Sequence, residues 1–323
     1  MGVFQSKNRF PVDGRTVLLT GGSDGMGRSI AIQLAKKGAN ILIVARTVEK
    51  LEAALKEISS AAIRPSQQFH YISADLTDPN SAPRIMSETT AWNNNSPPDI
   101  LFCCAGSTHP TLFADTPTHI FKEQMESNYF SSAYMAHAFL QPWLRQKPNS
   151  SPPKPALAKH IVFTSSLIAF YPLVGYGPYS PSKTALRTLS DTLSQELLLY
   201  RSYVDIRTHT IFPGTIFTAA FENEQRLKPA VTKKLEESDG GQTADQVAAS
   251  SMIGLERGEE LVTTSGLMGY AMKVGMLGSS KRNGWGFTDT MLAWVVTIVM
   301  VIARRDMDGT VRKWGQDRLA KVE

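Results

Sequence analysis

Cysteine is scarce in this 323-residue chain. Its two cysteines, Cys103 and Cys104, are neighbours in the sequence, and this spacing disfavours an ordinary structural disulfide between them. The sequence also lacks a cysteine and histidine cluster with the spacing of metal ligands. We therefore expect a protein of a reducing compartment that binds no metal.

Strongly basic stretches and long apolar runs are lacking as well. The net charge of +5 comes from 34 basic and 29 acidic residues without a lysine- and arginine-rich stripe, so we expect no nucleic-acid partner. The first residues contain no apolar stretch of the kind found in secretory signals. Residues 1–6 match the pattern for N-myristoylation at Gly2, and the alternative is a plain polar start.

Short β-rich runs alternate with longer helical patterns through most of the chain. The predicted strands are 16–20, 41–45, 69–73, 100–103, 160–165, 205–211 and 261–264. Several of them are apolar almost throughout, which is typical of parallel strands covered by helices on both faces. The pattern between the first two strands predicts a helix over 28–37. The chain is thus expected to form an α/β fold with a Rossmann-type, doubly wound, seven-stranded parallel sheet.

Two stretches interrupt this alternation. The proline- and serine-rich stretch 147–159 is interpreted as an exposed loop extension. The apolar run 291–303 is shorter than the about 20 residues that cross a bilayer as a helix, and basic residues flank both ends. It predicts a C-terminal apolar membrane-associating segment, and the alternative is a helix buried on the domain or on a partner subunit.

These interruptions suggest three parts of the chain. An N-terminal segment at 1–13 precedes a main domain at 14–265, and a C-terminal tail at 266–323 carries the apolar run.

A glycine-rich loop follows the first predicted strand directly and opens a helix. The sequence from Thr20 has the spacing Thr-Gly-x-x-x-Gly-x-Gly, with glycines at Gly21, Gly25 and Gly27. Glycines permit a tight turn and a close approach of the backbone to a pyrophosphate, and the helix N-terminus attracts negative charge. The main domain is therefore predicted to bind a dinucleotide.

Arg46 stands at the end of the second predicted strand, where an NAD enzyme would place a carboxylate for the ribose hydroxyl. An arginine there can pair with a 2′-phosphate, helped by Arg28 or Lys50, so NADPH is favoured over NADH. The alternative is that Arg46 is a solvated surface charge.

Two further strand ends carry candidate cofactor contacts. Asp75 follows the third predicted strand and can hold the adenine amino group, and Gly106 follows the fourth and lets the backbone lie against the cofactor. Each could equally be an ordinary loop residue.

A candidate catalytic group follows the fifth predicted strand. Ser166 precedes Tyr179 by thirteen residues, and Lys183 lies one helical turn after Tyr179 on the same face. A neighbouring ammonium favours the phenolate form of a tyrosine. We predict that Tyr179 protonates a ketone oxygen as hydride arrives and that Ser166 orients that oxygen.

In order along residues 14–265, the motifs TGGSDGMG, VARTVEKL, ADLTD, CCAG and YSPSK resemble those of the short-chain dehydrogenase/reductase family. The resemblance implies that NADPH is contacted by Gly21, Ser23, Asp24, Gly25, Arg46, Lys50, Asp75 and Leu76, with Tyr179 and Lys183 serving both cofactor and catalysis. It further implies that Asn128 holds a relay water. Asp24 departs from the family pattern, where serine is usual, so its carboxylate must turn outward or leave cofactor contact to its backbone.

Within the family, the likeness is greatest to members that reduce 3-ketosphinganine, a long-chain keto-sphingoid base, to dihydrosphingosine in sphingolipid synthesis. It implies an enzyme at the endoplasmic reticulum membrane with its catalytic domain facing the cytoplasm, and a homo-oligomer. Apolar residues after the sixth strand can face a long alkyl chain or act as a lid: Ile216, Phe217, Ala219, Ala220 and Phe221. The alternatives are a reductase of another lipid carbonyl (a steroid, retinoid or fatty acyl ketone) and a non-catalytic NADPH-binding scaffold.

Overall fold

Seven parallel strands form the central sheet. The computed structural model describes residues 8–145, 157–201, 204–237, 239–275 and 286–319. The strands of the sheet are β1 (Thr16–Thr20), β2 (Asn40–Ala45), β3 (Phe69–Ser73), β4 (Ile100–Cys103), β5 (Lys159–Thr164), β6 (Ile206–Phe212) and β9 (Leu261–Thr263). They lie in the order β3-β2-β1-β4-β5-β6-β9. A separate short parallel pair joins β7 (Ile216–Phe217) to β8 (Gln242–Thr243).

Helices connect these strands and follow the last of them. They are α1 (Gly25–Ala35), α2 (Val48–Ser60), α3 (Ser81–Trp92), α4 (Thr118–Met125), α5 (Ser131–Arg145), α6 (Tyr179–Glu196), α7 (Ala219–Leu227), α8 (Ala230–Leu235), α9 (Ala244–Arg257), α10 (Gly266–Gly275) and α11 (Phe287–Leu319). A π-helical turn, Glu126–Phe130, joins α4 to α5.

Both faces of the sheet carry an apolar core covered by helices. On one face, Leu19 and Ile43 pack with residues of α1, α2 and α9. On the other face, Leu18 and Leu42 pack with residues of α3, α5 and α6. Neighbouring residues of one strand reach opposite cores because side chains alternate along a strand. The predicted doubly wound, seven-stranded parallel sheet is confirmed.

Three predicted strands match β1, β3 and β4 without a difference, and the other predicted boundaries differ from the structure by at most three residues. The first helix was predicted over 28–37 but begins at Gly25 and ends at Ala35. It begins early because the Asp24 carboxylate accepts a hydrogen bond from the Gly25 amide at 2.7 Å and so caps the first turn. Most of the predicted loop at 147–159, like the predicted myristoylation pattern at 1–6, lies outside the described residues.

Beyond the sheet, α10 and α11 pack against each other. The Tyr270 hydroxyl of α10 donates to the buried Asp289 carboxylate of α11 at 2.8 Å. The apolar run 291–303 lies within α11, and its large exposed side chains are Met291, Leu292, Trp294, Val295, Ile298, Val299, Val301 and Ile302. The alternative of a helix buried on its own domain is therefore wrong. In the described part of the chain, no helix combines the length and the apolar character needed to cross a membrane.

Candidate active site

One cavity of about 980 Å³ opens at the carboxyl ends of the parallel strands. Ligands bind at this edge of open α/β sheets because the loops there leave a crevice. Apart from the suggested helper Arg28, every residue that the sequence singled out for cofactor or catalysis borders this cavity: Gly21, Ser23, Asp24, Gly25, Gly27, Arg46, Lys50, Asp75, Leu76, Gly106, Asn128, Ser166, Tyr179 and Lys183. The structure thus brings together residues from many separate elements, while their individual roles remain predictions.

The glycine loop between β1 and α1 is packed too tightly for a side chain. Gly21 has φ +66, and a Cβ built on it would lie 2.8 Å from the Ala105 amide nitrogen. A Cβ on Gly27 would overlap the Gly21 carbonyl. Only glycine allows this approach, which keeps the N-terminus of α1 open to the cavity. The loop therefore fits the pyrophosphate of a dinucleotide.

Asp24 borders the cavity with a half-exposed side chain. Its carboxylate caps α1 at Gly25, and its other oxygen lies 3.8 Å from the Lys50 Nζ atom. This exposed pair offsets part of the Lys50 charge at the mouth of the cavity. An anionic group bound at the helix N-terminus would therefore lie near both the Lys50 ammonium and the Asp24 carboxylate.

Arg46 lies exposed at the cavity rim, where β2 ends. Nearby Asp75 accepts hydrogen bonds from the amide and hydroxyl of Thr77, which, together with the Arg46 charge, lower the pKa of the Asp75 carboxyl. Arg28, the other suggested helper, pairs instead with Glu57 at 3.4 Å and does not border the cavity. Arg46 and Lys50 are thus the cations that remain placed to meet a 2′-phosphate.

Tyr179, Ser166 and Lys183 converge at the centre of the cavity. Tyr179 is the first residue of α6, and its phenol hydrogen-bonds to Ser166, which follows β5. The Lys183 Nζ atom lies 5.7 Å from the centre of the Tyr179 ring and donates to the Thr164 carbonyl at 2.9 Å. The end of β5 and the start of α6 thus hold the three side chains next to one another.

Tyr179 differs from its predicted electrostatics. The sequence suggested that Lys183 lowers the phenol pKa, but in the protein alone burial raises the pKa of Tyr179, and the Glu224 charge raises it further. The Ser166 hydrogen bond opposes both effects. Burial also lowers the pKa of Lys183 to about 8 because desolvation disfavours the ammonium. At neutral pH Tyr179 is therefore a neutral phenol that can act as an acid.

Asn128 is fully buried in the π-helical turn. Its amide nitrogen donates to the Ser107 carbonyl and its amide oxygen accepts from the Ser107 amide, both at 3.0 Å. A Cβ on Gly106 would lie 2.5 Å from the Asn128 Oδ1 atom and 3.3 Å from the Lys183 Nζ atom. Asn128 therefore fixes the loop after β4 beside Lys183. Its expected contact to a relay water remains a prediction.

Residues after β6 give a mixed outcome for the predicted alkyl-chain wall. Ile216, Ala220 and Phe221 border the cavity, whereas Phe217 and Ala219 do not. This alternation follows from the short strand β7 and the start of α7, because neighbouring side chains point to different sides.

A polar cluster on the same side was not identified from the sequence. The Tyr176 hydroxyl lies 2.8 Å from carboxylate oxygens of both Glu224 and Glu236. Thr108 donates to Glu224 at 2.8 Å, and buried Lys228 pairs with both carboxylates. The only sequence signal was the four-residue spacing of Glu224 and Lys228, which is common on helices.

Comparison with known proteins supports the resemblance to the short-chain dehydrogenase/reductase family. A family profile described as short chain dehydrogenase matches residues 15–228. The chain is 45% identical over 320 residues to the 3-ketodihydrosphingosine reductase ksrA of Aspergillus fumigatus, which covers 95% of this chain and 86% of that protein. It is 42% identical over 324 residues to the 3-ketodihydrosphingosine reductase gsl-3 of Neurospora crassa, covering 98% of this chain and 87% of the relative.

Among solved structures, the fold is similar to a 7α-hydroxysteroid dehydrogenase complexed with NADH and 7-oxo glycochenodeoxycholic acid. The TM-score is 0.67 at 20% identity, and the match covers 82% of this chain and 98% of the other. At this identity the likeness concerns the fold alone.

Proposed function

The chain belongs to the short-chain dehydrogenase family, and on that premise we propose that it reduces 3-ketosphinganine to dihydrosphingosine with NADPH. The observation that carries this proposal is the Tyr179 phenol, hydrogen-bonded to Ser166 and next to Lys183 in the cavity that the glycine loop borders. The 3-ketodihydrosphingosine reductases of two fungi, at 45% and 42% identity, support the substrate.

Proton transfer in this reaction is assigned to the protein's own side chains. NADPH, with its pyrophosphate held at the glycine loop, would supply the hydride for the carbonyl carbon. Ser166 orients the carbonyl oxygen by a hydrogen bond, and Tyr179 donates its phenol proton to that oxygen. The buried Lys183 ammonium then favours the phenolate that remains. Burial keeps the phenol protonated before the reaction, which suits the reducing direction.

The choice of NADPH over NADH is part of the proposal. Arg46 and Lys50 border the cavity where β2 ends, and no carboxylate stands at the Arg46 position itself. A guanidinium and an ammonium there favour a 2′-phosphate over a hydroxyl.

Membrane association is proposed from the surface beside the cavity. Met268 and Met272 of α10 border the cavity, and α10 packs on α11, whose apolar residues within 291–303 are exposed. Helices with such a face lie in the interface of a bilayer with their apolar side buried. A substrate with a long alkyl chain would then enter from the lipid side. We propose that the protein works at the cytoplasmic face of the endoplasmic reticulum membrane, and this surface and the family resemblance support the proposal. A homo-oligomer remains a prediction.

The catalytic proposal is tested by incubating the purified chain with NADPH and 3-ketosphinganine. We expect consumption of NADPH and formation of dihydrosphingosine in equal amounts, measured by absorbance and by mass spectrometry. No product together with rapid reduction of a sterol, retinoid or fatty acyl ketone would replace the substrate. Tight NADPH binding without turnover of any ketone would indicate a scaffold.

The membrane proposal is tested by flotation with anionic liposomes. We expect the double variant Ile298→Lys, Ile302→Lys to lose binding, because both side chains are exposed on α11. Ile63→Lys is the matched control, since Ile63 is as exposed but lies on the main domain. Equal binding of both variants would exclude α11 as the anchor.

A further inference from the structure

The wall of the cavity formed by α7, α8 and the residues that follow α8 carries more carboxylates than cations in the part of the chain that the structure describes. Glu224 and Glu236 border the cavity, and Asp239 lies at its exposed edge. The cation in contact with this wall is Lys228, whose side chain is 1% exposed and pairs with both glutamates. Its single positive charge cannot balance three carboxylates.

The hydrogen bonds at Tyr176 reveal a second deficit on this wall. Its hydroxyl lies 2.8 Å from an oxygen of Glu224 and 2.8 Å from an oxygen of Glu236. A phenol has one hydrogen to donate, whereas an ionised carboxylate only accepts. Glu224 and Glu236 thus share the single Tyr176 hydrogen as well as the single Lys228 ammonium. A carboxylate oxygen can accept more than one hydrogen bond, so the arrangement can take a further donor that carries positive charge.

This wall is close to the reacting atoms. Tyr176 and Tyr179 have ring centres 5.9 Å apart, and the Glu224 charge acts on the Tyr179 phenol. The other oxygen of Glu224 accepts a hydrogen bond from Thr108. Thr108 borders the cavity and lies in the loop after β4, which passes beside Lys183. A ketone oxygen placed on Tyr179 would thus have Glu224 beside it.

The chemistry of the substrate supplies what this wall lacks. 3-Ketosphinganine carries an ammonium group on the carbon next to the ketone, so its nitrogen lies about 2.5 Å from the carbonyl carbon. Resting on the proposed function, we propose that Glu224 and Glu236 bind this ammonium group and thereby select amino ketones over ketones without an amine. The reaction itself is unchanged, since the wall takes part only in binding and orientation.

This assignment explains why a neutral lipid ketone should be a poor substrate. A steroid or a simple fatty ketone would cover the net negative charge of this wall without adding a positive charge, and a buried charge that is not balanced disfavours binding. An amino ketone instead adds three ammonium hydrogens to this wall.

The test compares two ketones of equal chain length, 3-ketosphinganine and 1-hydroxyoctadecan-3-one, which lacks the amine. We expect the unmodified chain to prefer the amino ketone in kcat/KM by about tenfold or more, the effect of one charge-assisted hydrogen bond. In Glu224→Gln this preference should fall to about twofold, because any change that acts through Tyr179 affects both ketones alike, whereas only the amino ketone loses its charge partner. Glu236→Gln should reduce the preference in the same direction.

The matched control is Glu222→Gln, which removes the same charge from an exposed position of the same helix. It should keep the full preference. NADPH affinity and Tm are measured for each variant, so that a folding defect is recognised by changes in both. Equal losses on both ketones in a folded Glu224→Gln would overturn the ammonium assignment, while the proposed reductase function of the unmodified chain would stand.

A binding experiment separates this inference from the proposed reaction. Dihydrosphingosine and octadecane-1,3-diol are titrated into the complex with NADP⁺, which requires no turnover. We expect the amine to bind about tenfold more tightly to the unmodified chain and with nearly equal affinity to Glu224→Gln. If neither ketone is reduced, the proposed function fails while this titration still decides the ammonium site. Equal affinity of both compounds for the unmodified chain would overturn the site.

Discussion

The cofactor side of the cavity is built mainly from backbone, whereas the substrate side is built from side chains. Gly21 and Gly27 leave no space for a Cβ, so the backbone of the loop after β1 itself borders the cavity. On the substrate side, Thr108 and Glu224 are 116 residues apart in the sequence and meet through a single hydrogen bond. The first arrangement depends on local backbone geometry, and the second depends on how distant helices pack.

This difference follows from what each side of the cavity has to bind. A dinucleotide has the same pyrophosphate in every enzyme that binds it, and a strand-loop-helix unit can hold it with main-chain groups. A substrate must be distinguished from similar molecules, which requires particular side chains. Tyr179 lies where the two sides meet and should be the most sensitive position of all.

Tyr179→Phe removes the proton donor and leaves both sides otherwise unchanged. We expect kcat to fall by about 10²- to 10⁴-fold, the usual contribution of a positioned acid, while the NADPH Kd changes little. Steady-state kinetics and fluorescence titration measure the two quantities. Tyr134→Phe is the control, because Tyr134 does not border the cavity. A residual rate above a tenth of the original would assign the proton to another group.

Gly21→Ala tests the backbone side. Gly21 has φ +66, and the new Cβ would lie 2.8 Å from Ala105. This close approach should lower the free energy of unfolding by about 1–3 kcal/mol beyond the cost of the positive φ, and it should weaken NADPH binding. Gly14→Ala isolates the cost of positive φ, since Gly14 has φ +72 and nothing within 4 Å of a built Cβ. Its free energy of unfolding should fall by about 1 kcal/mol. Urea unfolding measures both variants. Equal losses of stability in the two variants would mean that the backbone at Ala105 shifts at little cost to make room for the new Cβ.

Arg46→Ala tests how the cofactor side of the cavity selects NADPH over NADH. Loss of a charge-assisted contact to a 2′-phosphate should raise the KM for NADPH about tenfold and leave the KM for NADH nearly unchanged. Arg28→Ala should change neither value, because Arg28 pairs with Glu57 outside the cavity. Parallel changes for the two cofactors would contradict the role of Arg46.

The pH dependence tests the centre of the cavity. Burial lowers the pKa of Lys183 to about 8, so its ammonium is present below that pH and is lost as the pH rises through it. We expect kcat/KM for NADPH to fall to about half near pH 8, measured with a ketone that has no amine of its own. Lys183→Arg should move this decline to higher pH, since a guanidinium stays charged. A flat profile from pH 7 to 10 would contradict the assignment.

Sequence patterns predicted the fold and the position of the cofactor loop closely, because both follow from local repeats. The apolar strands gave the seven-stranded sheet, and the spacing from Thr20 to Gly27 placed the loop at its edge. Boundaries were less well predicted. The start of α1 depends on one hydrogen bond from Asp24, which residue periodicity does not show.

The substrate side was not predictable in the same way. Glu224 and Glu236 lie on or next to helices of ordinary polar composition, and only their packing against Tyr176 makes them part of the cavity. Likewise, the run 291–303 allowed either a buried helix or an exposed one, and composition could not choose between them. Packing decides such cases because burial depends on residues far away in the sequence.

By itself, the sequence determined the glycine loop, Arg46 at a strand end, and Tyr179 one helical turn before Lys183, since each depends on spacings of a few residues. Only the tertiary structure decided the protonation of Tyr179, the lowered pKa of Lys183 and the acidic wall at Glu224. These properties arise from desolvation and from charges on distant elements, which act through space rather than along the chain. The chemistry is thus encoded locally, and its electrostatic environment is set by the fold.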